Sequence, residues 1–113
     1  MEMIEPSYPI EVTDDVENDL ANIHAYMAAQ RSAEDADQLI DRLVERMVAL
    51  RDFPLRGAIP QELGALGENE YRQLVHAPYR IIYHFTGRFV AILMIADGRR
   101  DMRTLLEQRL FGK

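Results

Sequence analysis

Four arginines in the later part of the chain have the type and spacing to bind an anion, namely Arg72, Arg80, Arg99 and Arg100, and Asp101 completes the run that follows Gly98. A guanidinium is always charged, and its planar fork of N–H donors matches a carboxylate or a phosphate. It is costly beside apolar strands unless it stays wet or finds such a partner. Arg80 lies within, and Arg99 and Arg100 follow, two apolar runs, Tyr79 to Phe85 and Phe89 to Ala96, so a hairpin of buried strands is expected to deliver three arginines to one region. That arrangement points to a binding surface. The plainer alternatives are that Arg80 closes the fold against a carboxylate, that Asp101 clamps an arginine, and that Arg72 is solvated on an outer strand.

His24, His76 and His84 add groups that can pass a proton or ligate zinc. A catalytic zinc needs three converging protein ligands. His24 has no Asp or His at ligand spacing, the chain has no cysteine, and a turn at Ala77-Pro78 pairs residue 76 with 79 and leaves 84 farther up its strand. No metal and no cofactor is expected. General-base work by His76 or His84 is the remaining use for an imidazole. Tyr71, Tyr79 and Tyr83 read as core.

The elements that position these residues follow from periodicity. Tyr8 to Val12 reads as a short strand, confined by Pro9 to an edge. Asp14 with Glu17 forms a capping pair, and Val16, Leu20, Ile23 and Met27 recur at helical spacing, predicting a helix from about Asp15 to Gln30. Ser32 with Asp35 starts another, whose seam of Ala36, Ile40, Leu43, Met47 and Leu50 ends near Phe53-Pro54. Two helices joined so closely fold back as an αα-hairpin. Pro54, Gly57, Pro60, Gly64 and Gly67 then mark a loop. Strands follow at Tyr71 to Ala77, Tyr79 to Phe85 and Phe89 to Ala96, with Pro78 at a bend. Alternation puts Tyr79, Ile81, Tyr83 and Phe85 on one face, and Arg80, Ile82 and His84 on the other. The last strand is apolar on both faces, which makes it central. Met102 to Phe111, with Leu106 and Leu110 in phase, either covers the free face or frays.

Composition sets the frame. A chain of 113 residues with 48% hydrophobic content predicts a single domain spanning 1–113. The absence of cysteine excludes disulfides and thiolate metal sites. Phe89 to Ala96 is too short to span a bilayer, and the acidic start does not resemble a secretion signal, so a soluble cytoplasmic protein is expected. The net charge of −6 hides an asymmetry: residues 1–70 carry 5 basic and 16 acidic side chains, whereas residues 71–113 carry 8 basic and 3 acidic. The basic part suits an acidic peptide, an acidic protein patch or a phosphate. The acidic total argues against strong direct nucleic-acid binding.

From about Tyr8 to Arg109 the chain resembles the ParE/RelE superfamily of type II toxins, and the ParE (plasmid stabilisation) branch most closely. The resemblance rests on Asp19-Leu20, the helical hairpin ending Phe53-Pro54 with Gly57 after it, Tyr71-Arg72, Pro78-Tyr79-Arg80-Ile81-Ile82-Tyr83, the strand ending in Ala96, and Gly98-Arg99-Arg100-Asp101. It implies an α+β fold: an N-terminal strand and helical hairpin on an antiparallel sheet of three to four strands, with a short C-terminal helix. RelE-like members cut messenger RNA on the ribosome, which requires groups that activate a ribose 2′-hydroxyl, stabilise a pentavalent phosphate and protonate the leaving oxygen. Arg72, Arg80 and Arg100 are similar in position to RelE-like cations. Two further RelE-like positions fall on Leu74 and Leu106, which cannot shuttle protons or bind phosphate.

The resemblance therefore implies a ParE-like protein without catalytic residues of its own. Such a toxin poisons DNA gyrase, and a ParD-like antitoxin, a ribbon-helix-helix protein with a C-terminal tail, neutralises it. Arg72, Arg80, Arg99, Arg100 and Asp101 are then the target- or partner-binding residues. A RelE-like ribosome-dependent endoribonuclease and a degenerate, non-toxic binding module of the same fold are the alternatives. Some apolar surface should stay exposed as a groove for the antitoxin tail.

Overall fold

The computed structural model describes residues 7–64 and 70–112; Gly67 of the expected loop and the acidic first residues lie outside them. Strand β1 (Ile10–Val12) leads into α1 (Asp14–Gln30) and α2 (Ala33–Val48), which continues as a 3-10 turn over Ala49–Arg51. A single helical turn, α3 (Gln61–Gly64), sits inside the segment expected to be loop. Strands β2 (Tyr71–His76), β3 (Tyr79–Phe85) and β4 (Val90–Asp97) follow, and α4 (Met102–Phe111) closes the chain.

Local chemistry sets most of these boundaries. Thr13, rather than Asp14, caps α1: its Oγ1 accepts the Val16 N–H at 3.3 Å, while Asp14, Asp15 and Glu17 occupy the first turn, where the helix dipole favours negative charge. Ser32 caps α2 through the Asp35 N–H at 3.0 Å, as its sequence predicts. Asp101 starts α4, and Gly112 ends it in the left-handed conformation that glycine adopts without strain.

The sheet order is β1-β4-β3-β2. Strands β2, β3 and β4 are antiparallel, with His76 opposite Tyr79 across the turn, and β4 is central, as its two apolar faces require. β1 joins β4 in parallel, so the sheet is mixed. A register shift between Ile82 and Tyr83 marks a bulge in the β3–β4 pairing.

Two apolar cores lie on opposite faces. The larger packs Val16, Ile23, Leu39, Leu43 and Met47 of the helical hairpin on Leu74, Ile81, Tyr83 and Ile92 of the sheet. Of the predicted seams, Val16, Ile23, Ala36, Leu43, Met47 and Leu50 are buried, while Leu20, Met27 and Ile40 pack at the margin. On the other face Leu63 of α3 joins Ile82, Met94, Met102 and Leu106, so the final segment covers the sheet and does not fray. Among the described residues no helix is long and apolar enough to cross a membrane.

Candidate functional site

The chain leaves the sheet at Asp97, and the four residues after it form the most exposed cationic turn among the five candidates. The Gly98 N–H donates to the Pro78 carbonyl at 2.7 Å, tying this turn to the one between β2 and β3. Glycine is required there because a Cβ would stand 2.6 Å from Cδ of Arg80. Arg99 folds back on Asp97: its backbone N–H, Nε and Nη2 reach the carboxylate at 2.9, 3.0 and 2.6 Å. Those hydrogen bonds hold the Asp97 carboxyl below its ordinary range and raise the guanidinium of Arg99. Asp101 accepts from the Thr104 N–H at 3.2 Å and its hydroxyl at 2.7 Å, and so serves as a helix cap. The clamp expected of Asp101 is supplied by Asp97, four residues earlier.

Arg100 is different. Among the described residues its guanidinium makes no hydrogen bond or ion pair, and it lines an open cavity of about 330 Å³ with Asn22, Tyr26, Tyr79, Ile95 and Asp97. Tyr26 is 61% exposed, so a large aromatic face stands beside a free cation. Burial raises the Tyr79 hydroxyl above its ordinary value, with the Asp97 carboxylate adding to the shift, which keeps it protonated.

Arg80 is spent on structure. It donates two hydrogen bonds to Glu62, at 2.7 and 2.8 Å, and a third from Nε to the Gln73 side chain at 2.7 Å. Its side chain is 13% exposed. Hydrogen bonding from Arg80 lowers the Glu62 carboxyl from 4.5 to about 2. This fork pins α3 to the sheet. Arg72 holds the loop before α3, donating to the carbonyls of Leu55 at 3.3 Å and Gly57 at 2.8 Å. The same loop is gripped by Tyr83, whose buried hydroxyl accepts the Gly57 N–H at 2.9 Å.

The structure therefore does not bring the candidate arginines together. Arg72 stands opposite Tyr83 in the ladder and shares its face, that of the helical hairpin, whereas Arg80 lies on the α3 and α4 face. The expected pairing of residue 76 with 79 already implied this, because 72 then falls opposite 83 and strand parity separates 83 from 80. Leu74 and Leu106 are 6% and 1% exposed, one in each core.

Sequence reasoning also missed an ion pair that joins the first helix to the last. Arg109 of α4 meets Asp19 of α1 through two bonds of 2.9 Å and donates to the Leu93 carbonyl at 2.8 Å. Asp19 also accepts the Ile95 N–H at 3.0 Å. β1 pairs only with Val90 to Ile92, so these two side chains satisfy the edge of β4 beyond it. One signal existed: Asp19 follows Val16 by three positions on the inward stripe of α1, and a carboxylate there needs a partner.

The histidines are dispersed. His24 bonds Asp37 across the helical hairpin at 2.7 Å, His84 packs beside Tyr71 and lies 4.0 Å from Glu70, and His76 faces arginines of α2. Among the described residues no group of three potential ligands could hold a metal ion.

Solved structures that share this architecture include two toxin-antitoxin assemblies. One is the chromosomal ParDE TA system from P. aeruginosa, with a TM-score of 0.69 and 21% identity over 80% of this chain and 96% of that chain. The other is the RelBE2 toxin-antitoxin complex from Mycobacterium tuberculosis, with a TM-score of 0.59 and 18% identity over 85% and 97%. At such identities the likeness is one of fold alone, an α+β domain with a helical hairpin on a four-stranded sheet. No curated protein sequence matches the chain significantly. The sequence pattern described as the ParE toxin of type II toxin-antitoxin system, parDE, matches residues 10–102. The chain belongs to the ParE toxin family.

Proposed function

We propose that this single domain is the toxin of a type II pair that acts in the cytoplasm by binding DNA gyrase, and that a ParD-like antitoxin with a ribbon-helix-helix module neutralises it. One observation carries the preference for binding over cleavage: Arg72 and Arg80 lie on opposite faces of the sheet and are each engaged in holding a loop. A scissile phosphate would find no shared cationic cradle between them, and the leucines at 74 and 106 add no proton donor. Arg100, with Arg99 beside it, is the exposed group left to meet a target, and Tyr26 offers it an aromatic neighbour. Arg72, Arg80 and Asp101 act in this reading by fixing the loop, α3 and α4 around that turn.

Induced expression without an antitoxin should halt growth with a gyrase-type DNA damage response, and the purified chain should inhibit supercoiling by gyrase. Codon-specific message cleavage would move the assignment to the RelE-like nuclease. Harmless expression at good yield would favour the binding module.

A further inference from the structure

We infer that Arg42, Arg46, Arg56 and His76 form a carboxylate site that takes an acidic segment of a partner polypeptide. These residues line a cavity of about 220 Å³ between α2, the loop after it and the end of β2, floored by Ala49 and Leu74. Of the five basic residues among positions 1–70, three converge here, although that part of the chain is strongly acidic. Glu45 is the one carboxylate lining the cavity, so cations outnumber it.

None of the three arginines forms an ion pair among the described residues. Arg46 donates one Nη2 hydrogen bond to the Val75 carbonyl at 3.1 Å, while its Nε is buried with no partner. Its Nη1 makes no hydrogen bond among the described residues, and a carboxylate accepting from it would add a charge-assisted bond. Arg42 and Arg46 stand one helical turn apart on the same face of α2, close enough for both to reach one carboxylate or two neighbouring ones.

Two features select a peptide over a nucleic-acid backbone. The pocket is an isolated concavity, with Asp41, Glu45 and Asp52 close by in sequence, so a continuous polyphosphate would meet like charge on either side. Main-chain strand addition is also blocked on the neighbouring edge, because Gln73 exchanges both its bonds with Ala58 and Arg46 occupies the Val75 carbonyl. A partner passing here must be held by its side chains.

The inference rests on the reading that the chain works through protein partners. Fluorescence anisotropy of the full chain with a labelled, C-terminally amidated peptide of alternating glutamate and alanine carrying three carboxylates, at low ionic strength, tests it against a labelled thymidine tetranucleotide of similar charge. Saturable peptide binding, tighter than that of the oligonucleotide, is expected. Arg42→Gln and Arg56→Gln, which break no hydrogen bond of the fold, should each weaken it about tenfold, the loss of one charge-assisted bond. Arg88→Gln, an equal loss of charge in the β3–β4 turn, should change it by less than about twofold. Absence of saturable binding, equal damage from Arg88→Gln, or tighter oligonucleotide binding would each overturn the site. Gyrase inhibition measured on the same samples separates the two ideas: peptide binding without inhibition keeps this site and loses the target, and the converse loses only the site.

Discussion

The paired arginines and the unpaired ones make two contrasting sets. Arg80 with Glu62 and Arg109 with Asp19 are mostly buried, bidentate and matched by carboxylates from distant segments. Arg100 after β4, and Arg42 and Arg56 around the α2 pocket, are exposed and form no ion pair or side-chain hydrogen bond among the described residues, although Asp97 lies close enough to Arg100 to feel its charge. A guanidinium stays charged, so one placed against apolar strands is tolerated only with a partner, and the first set holds the fold. Only the second retains donors for another molecule. Arg99 lies between them, bonded to Asp97 yet 77% exposed.

Four substitutions sharpen that contrast. The largest effect should come from Arg109→Ala, which strands the Asp19 carboxylate and the Leu93 carbonyl; a loss of about 3 kcal/mol is expected in urea denaturation. A change no larger than that of a surface residue would remove Arg109 from the structural set. Arg80→Met should cost about 2 kcal/mol through the unpaired Glu62. The pair also predicts an acid limb. Glu62 is held at about 2 in the folded chain against an ordinary 4.5, so its contribution is complete above 4.5 and is lost as pH falls toward 2. Glu62→Gln should flatten that part of the stability profile, and an unchanged acid limb would count against the pairing. The smallest effect on folding belongs to Arg100→Ala, within about 0.5 kcal/mol, together with a loss of toxicity or target binding. A lowered melting temperature with toxicity intact would instead put Arg100 among the structural arginines.

Much of the framework could be read from local patterns. The two hairpin helices, the Ser32 cap, the three later strands and the faces of β3 all follow from periods of 3.6 and 2 that neighbouring residues set for themselves. The turn of α3 escaped that reading, because four residues carry too little periodicity to register, and the parallel direction of β1, an expected edge strand, depends on which strand it meets. The placement of the arginines was half legible. Their identities and the turn after Ala96 were plain, but the partners that decide their roles lie far away in sequence: Glu62 is 18 residues from Arg80, and Asp19 is 90 from Arg109.

By itself, then, the sequence determined which residues could form helices and strands, where the cationic side chains would be concentrated, and which family the order of elements resembles. The tertiary structure alone decided which cations are free. A charge is neutralised by whatever carboxylate the fold brings within hydrogen-bond reach, and that proximity depends on how the sheet faces, the loop and the final helix meet in space.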